Sequence, residues 1–345
     1  MPAETVQNQV SATALGPWPG TDPAEAARII RGELGSPHLP FLAELPDRGV
    51  GSDALGRTAS LLVELAIDAQ PHGWRLVDRP GKDLRRAKSA LATDINILAD
   101  VAGAEESSAE ELKIQLRGPL SLAANLYLHN GERALLDYGA RRDIAESLAA
   151  GVADHISRVR AAVPGAGIVD QLDEPDNASV LAGTIPTASG YRTLRASPVE
   201  EATSAWRLVV QALRDAGVAE TVVSVLEIEA PIQPILTAGA DGIALPLKAL
   251  TTRQWEQIAA AVEAGKRLWA GVLPVEDPKA TLPRTTELVD TVWRPWRHLG
   301  LAAPGLGAVR VTPSDGLAGF PPSGAKAVLH RLTQVADGLN QLALG

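Results

Sequence analysis

Cysteine is absent from all 345 residues. That excludes a disulfide framework, a thiolate metal site and a cysteine nucleophile. A basic surplus is missing as well: 32 Lys and Arg stand against 41 Asp and Glu, a formal net charge of −9. With no excess of cations to neutralise phosphates, nucleic acid is not an expected partner. Long apolar runs are lacking. The stretch from Leu61 to Ile67 is short and interrupted by Glu64, so no bilayer-spanning helix and no membrane partner are expected. The opening residues MPAETVQNQV show neither the basic nor the apolar region of a secretory signal, which makes the cytoplasm the expected location.

Familiar catalytic signatures are also missing. The six histidines (His38, His72, His129, His155, His298 and His330) show no HxH, HxxxH or HExxH spacing, so no ordinary zinc site is visible. No GxGxxG opens a helix after a strand, and neither a phosphate-binding GxxxxGK[ST] loop nor a GxSxG nucleophile elbow occurs.

What is present is ample core material, 46% hydrophobic residues, far too much for a disordered chain. Short β-branched or Leu-rich runs alternate with amphipathic helical stretches from end to end, the pattern of βα units around a parallel sheet. The expected strands are Thr13 to Trp18, Leu39 to Glu44, Leu112 to Arg117, Gly167 to Asp173, Thr221 to Glu227, Gly242 to Leu247, Leu268 to Leu273 and Ala308 to Thr312.

Helices are expected over Asp22 to Leu34, Glu132 to Val163, Thr252 to Ala264 and Gly324 to Leu344. Within the second, Ile144, Leu148, Val152, Ile156 and Val159 form one apolar stripe. Another begins after Ser197-Pro198-Val199-Glu200, which reads as a capping box, and runs to Ala216. Trp293 and Trp296 read as core packing. Eight strands in a single composition regime point to one α/β domain over 1–345, a (β/α)8 TIM barrel, with a doubly wound sheet as the alternative. Residues 69–108 exceed what a βα unit needs. They read as a helix-bearing excursion between strands two and three, whose basic cluster (Arg75, Arg79, Lys82, Arg85, Arg86, Lys88) is either a solvated helix face or a seat for an anionic ligand tail.

In such barrels the site lies at the C-terminal ends of the strands. There the sequence places Asp173, Glu174, Glu227, Glu276, Asp277 and Asp315. Gathered carboxylates bind an ammonium group or a hard cation, or transfer protons. Taken singly, each is as readily the cap of the next helix.

Three stretches, LGPWPGTD near the start, QLDEP after strand four and VTPSDGLAG after strand eight, resemble the cobalamin-independent methionine synthase family, supported by GADGIALPL and AGVLP. The likeness runs through nearly the whole chain in order and is strongest to short, single-barrel members. Uroporphyrinogen decarboxylase and epoxyalkane:coenzyme M transferase share that barrel, so fold does not settle activity. The resemblance implies an amino acid such as homocysteine or methionine as ligand, a folate-type methyl donor, and a zinc ion that holds the substrate sulfur as thiolate.

Carried over residue by residue, the family's HxC motif falls on Ser224 and Leu226, its carboxylate ligand on Pro246 and its last cysteine on Asp315. The zinc ligands are therefore absent, no metal is expected, and zinc-dependent methyl transfer is argued against. The amino-acid pocket is better kept. The resemblance makes Asp173 the partner of the substrate amino group, with Glu44 beside it and Gly16-Pro17 near the carboxylate. Asp173, Glu227 and Asp315 are the candidate catalytic residues. Three functions fit: a methionine-synthase-like enzyme working without zinc, a non-catalytic amino-acid or one-carbon-ligand binding or regulatory protein, and a Mg²⁺ or Ca²⁺ enzyme using Glu227 and Asp315.

Overall fold

The computed structural model describes residues 9–105, 109–226, 230–248 and 250–344. Its strands are β1 (Ser11–Ala12), β2 (Ala66–Gln70), β3 (Gly73–Val77), β4 (Glu111–Arg117), β5 (Leu126–Tyr127), β6 (Gly167–Asp173), β7 (Glu220–Ser224), β8 (Gly242–Pro246), β9 (Arg267–Leu273) and β10 (Val309–Pro313). Seven of them form one curled parallel sheet in the order β1-β10-β9-β8-β7-β6-β4, and β2, β3 and β5 make a small second sheet. The helices are α1 (Pro23–Glu33), α2 (Ala54–Ala59), α3 (Lys82–Gly103), α4 (Pro119–Asn125), α5 (Tyr138–Ala162), α6 (Asn177–Ala182), α7 (Val199–Asp215), α8 (Ile232–Thr237), α9 (Thr252–Glu263), α10 (Thr285–His298) and α11 (Pro322–Ala343). Among the described residues no helix is long and apolar enough to cross a membrane.

Two expected strands are not regular. The first, expected over Thr13 to Trp18, is absent as a strand, and only the preceding Ser11 and Ala12 pair with β10, because Gly16 turns the chain at φ +117° and Pro17 and Pro19 lack an N–H. Residues 39–44 form isolated bridges, Phe41 with Lys113 and Pro17 with Glu44. Pro40 can only accept, and it does so from the Lys113 N–H at 2.8 Å. The segment nonetheless bonds to both edges of the sheet. Leu39 and Glu44 N–H donate to the Ala12 and Gly16 carbonyls, and Leu42 N–H donates to that of Lys113.

The excursion differs from expectation too. Its first part is a β-hairpin in which β2 pairs antiparallel with β3, and only then does the chain enter α3. Strand propensity in Ala66–Gln70 and Gly73–Val77, broken by Pro71, explains this. Four of the six basic residues lie on the first turns of α3. Arg75, on β3, leans toward Asp68 at 4.0 Å.

Helix starts follow local chemistry in most places. Asp22 accepts from the N–H groups of Ala24 and Glu25 at the start of α1, and Thr251 with Gln254 closes a capping box on α9. Ser197 does not cap α7. Pro198 occupies that position with no side-chain cap, while the Ser197 N–H bonds to the Val180 carbonyl at 3.0 Å.

Two apolar layers hold the fold. A small cluster of Leu39, Val169, Val222, Ala244 and Trp269 fills the inside of the curl. A larger one lies between sheet and helices and takes in the α5 stripe and Trp296. Trp293 packs against it part-buried. Below the inner cluster, buried Arg310 meets Glu111 at 3.0 Å and Glu220 at 3.9 Å, closing the N-terminal end of the sheet.

Candidate functional site

Side chains alternate across a strand, so the odd positions of β4 and β6 share the inner face of the curl. In β4 these are Lys113, Gln115 and Arg117, and in β6 Gln171 and Asp173. The fully buried Lys113 donates through Nζ to Gln171 Oε1 at 2.8 Å and to Gln115 Oε1 at 3.2 Å. Gln115 Nε2 in turn donates to the Leu42 carbonyl at 2.7 Å. Gln171 Nε2 donates to the Leu15 carbonyl at 2.8 Å and to Asp173 Oδ1 at 2.7 Å. Because an ammonium only donates, Lys113 fixes both amides with oxygen inward. The Gln171 NH₂ group is thereby turned onto Asp173.

Asp173 ends β6, and the Ser224 hydroxyl on β7 also bonds to it. Burial raises its pKa, against the opposing pull of Arg117, Gln171 and Lys113. Glu44 comes from the irregular segment and is buried with Oε2 lacking a partner. Burial lifts its pKa to about 7, with Arg57 pulling it down and Asp173 pushing it further up. Burial likewise drops Lys113 to about 7, against the pull of Asp173 and Glu44. Two carboxyls and an amine thus share one enclosed place, each costly to charge there.

Gly16 and Pro17 form the wall. A Cβ on Gly16 would lie 2.6 Å from Gln115 Cδ, so only glycine admits this approach. The Leu317 N–H donates to the Pro17 carbonyl at 2.9 Å. This ties the Asp315 loop to the same rim.

Beside this cluster lies a cavity of about 680 Å³ at the ends of β7 to β10. Leu226, Pro246, Gly271, Val272, Leu288 and Asp315 line it. Asp315 is exposed and its Oδ1 accepts from the Gly316 N–H at 2.6 Å.

The structure brings Gly16, Pro17, Glu44 and Asp173 together and sets Asp315 on the neighbouring cavity. Glu227 lies outside the described residues. Three carboxylates have other employment. Glu174 faces away from the mouth and accepts from Leu120 N–H at 3.0 Å, Ser121 N–H at 2.8 Å and Trp206 Nε1 at 2.8 Å. Exposed Glu276 pairs with Lys248 at 3.3 Å, and exposed Asp277 accepts from the Lys279 N–H at 3.0 Å. Sequence reasoning missed Lys113, Gln115, Arg117 and Gln171. The signal was there: polar residues at alternate positions of two strands whose other positions are apolar.

The positions that the resemblance makes zinc ligands do not fit that ion. The Ser224 hydroxyl is engaged with Asp173, and Leu226 and Pro246 carry no donor. Asp315 offers one oxygen set. Among the described residues, no group of three or more His, Asp or Glu converges as a metal site.

No protein-family model matches the chain. No curated protein matches it in sequence. Its fold does match solved structures. One is a B12-independent methionine synthase from Shewanella sp. W3-18-1 in complex with selenomethionine, at TM-score 0.64 and 12% identity over 97% of this chain and 99% of that one. Another is a methyltransferase from Methanosarcina mazei, at TM-score 0.57 and 13% identity over 97% of this chain and 96% of that one. At such identities the likeness is one of fold: the chain shares the architecture of these two proteins.

Proposed function

We propose that this protein is a methionine-synthase-like barrel protein that binds a small amino acid, methionine or homocysteine being the nearest in kind, without zinc. In this reading residues 39–44 stand in for the eighth strand and complete the barrel. The observation that carries the proposal is the pair Asp173 and Glu44: buried, neighbouring, and with Glu44 Oε2 wanting a donor. An α-ammonium group supplies both the donor and the countercharge. Selenomethionine in the similar synthase supports the ligand class. The adjacent cavity of about 680 Å³ is within the usual size for small-molecule sites. Its Leu226, Pro246 and Val272 wall suits an apolar side chain, and a one-carbon donor such as a folate would have to enter by the same opening.

Methyl transfer by a zinc thiolate has no ligand set here. The specific replacement of donors by Leu226 and Pro246 favours a second reading, a binding or regulatory protein with the pocket and without the chemistry. Turnover assays with homocysteine and a folate-type donor separate the two.

The test of the ligand class is Asp173→Asn, which keeps the shape and deletes the charge. Amino-acid affinity should fall by roughly 2–5 kcal/mol, the range for breaking a buried charge pair, with the fold intact by circular dichroism. Deaminated methionine should bind the wild-type protein poorly in calorimetry. If it binds as well as methionine, the ammonium reading is wrong. If Asp173 only closes its loop, the substitution will lower Tm and leave affinity alone.

A further inference from the structure

Arg117 ends β4 directly across from Asp173, its register partner at the end of β6. The inner-face placement of Lys113 and Gln115, established by their hydrogen bonds, puts Arg117 on that same face at the mouth. Neighbouring strands lie about 4.8 Å apart, so a cation and an anion stand side by side at the rim. They are not consumed by each other. Among the described residues no carboxylate comes within ion-pairing distance of the Arg117 guanidinium, and its side chain makes no hydrogen bond. This differs from the other arginines nearby. Arg48 and Arg57 both pair with buried Asp94. Arg117 is also only part-buried, whereas Lys113 beneath it is sealed. Its field is felt by both Asp173 and Glu44.

We propose that Arg117 recognises the α-carboxylate of the ligand, so that the mouth reads a free α-amino acid as a zwitterion: ammonium on Asp173 and Glu44, carboxylate on the Arg117 guanidinium. An α-amino acid carries its two charges on one carbon. It therefore matches a cation and an anion held on adjacent strands without being paired. The planar guanidinium offers two parallel N–H donors to a carboxylate, which a lysine in its place does not. The backbone around Gly16 and Pro17 has no hydroxyl to offer, so the carboxylate needs this side chain. Esters and simple amines lack the free carboxylate, and a peptide bears it on a different carbon from its terminal ammonium, so all three are rejected. The inference rests on the amino-acid reading above and adds to it a specificity determinant.

Calorimetry with three probes, methionine, decarboxylated methionine and deaminated methionine, tests it on wild type, Arg117→Met and Arg117→Lys. Wild type should prefer methionine over the decarboxylated amine by about tenfold or more, equivalent to at least about 1.4 kcal/mol. Arg117→Met should lose that preference, binding both at the affinity wild type shows for the amine. Arg117→Lys should recover part of it. Unchanged circular dichroism and Tm show that the variants fold, and an unaltered amine affinity in Arg117→Met shows that the ammonium subsite is intact. If Arg117→Met still discriminates, or wild type binds amine and amino acid alike, Arg117 is not the carboxylate site, while the ammonium reading stands. If wild type binds deaminated methionine as well as methionine, it is the ammonium reading that falls. If none of the probes binds wild type, both fall.

Discussion

Glu44 and Lys113 are the residues whose ionisation reports on the site. Both have been moved by burial to about 7, one from below and one from above. An arriving ammonium group favours the Glu44 carboxylate over its acid and disfavours a charged Lys113. As pH rises through about 7, Glu44 loses its proton and Lys113 its charge, so both changes act in the same direction. Amino-acid affinity should therefore increase with pH through neutrality and level off above it. Glu44→Gln should flatten the Glu44 part of that dependence and lower the plateau. Calorimetry across the range in buffers of different ionisation enthalpy checks this, because proton release on binding should accompany it. Affinity independent of pH, or falling with it, would contradict the assignment of Glu44. None of this was visible from Glu44 as a letter. Its place in FLAELPD, one charge among apolar residues just before Pro46, gives no hint that the side chain is sealed.

At the scale of elements, the β6 terminus shows how one strand supplies two different carboxylates. Asp173 points into the curl and Glu174, one residue on, points out, as strand alternation requires. Glu174 takes the first N–H groups of α4 and the Trp206 indole. Leu120 and Ser121 would otherwise end buried and unsatisfied. Gly118 makes this possible, since a Cβ there would stand 2.2 Å from Glu174 Oε1. Gly118→Ala should expel the carboxylate and cost more than about 2 kcal/mol, several buried donors losing their partner together. A clear drop in Tm, with loss of hydrogen-exchange protection at Leu120 and Ser121, is the expected outcome. A variant that melts like wild type would show that α4 does not depend on this cap. The DEP motif thus serves two masters, and the sequence alone presents its two acids as equals.

For the whole molecule, the sheet gathers the wall, the buried carboxylates and the apolar cavity at one end, and that arrangement decides what chemistry is open. Ser224, Leu226, Pro246 and Asp315 converge on that end without a second strong ligand among them. One carboxylate does not hold zinc against water. The purified protein should carry well under one zinc per chain after mild chelation, by elemental analysis. Finding about one tightly held zinc would overturn this and return zinc-assisted methyl transfer to consideration. Neither outcome touches the fold, which needs no metal to bury its two apolar layers.

Period and punctuation in the sequence were enough for the alternation of strands and helices, the apolar stripe of α5 and the position of most strands to within a few residues. These are local properties, set by side-chain spacing along one element. The gathering of Gly16, Pro17, Glu44 and Asp173 was legible only through resemblance, because the four come from three separate stretches of chain. Tertiary structure decided the rest. It broke residues 39–44 into bridges at the proline. It made a hairpin of the start of the excursion and turned Glu174 onto α4. It also buried Lys113 against two glutamines that the curl brings to partners 156 and 73 residues away in sequence, Gln171 reaching Leu15 and Gln115 reaching Leu42. Burial and cross-strand neighbours, not residue type, set those pKa values and leave Arg117 unpaired, and both are consequences of which strands end side by side.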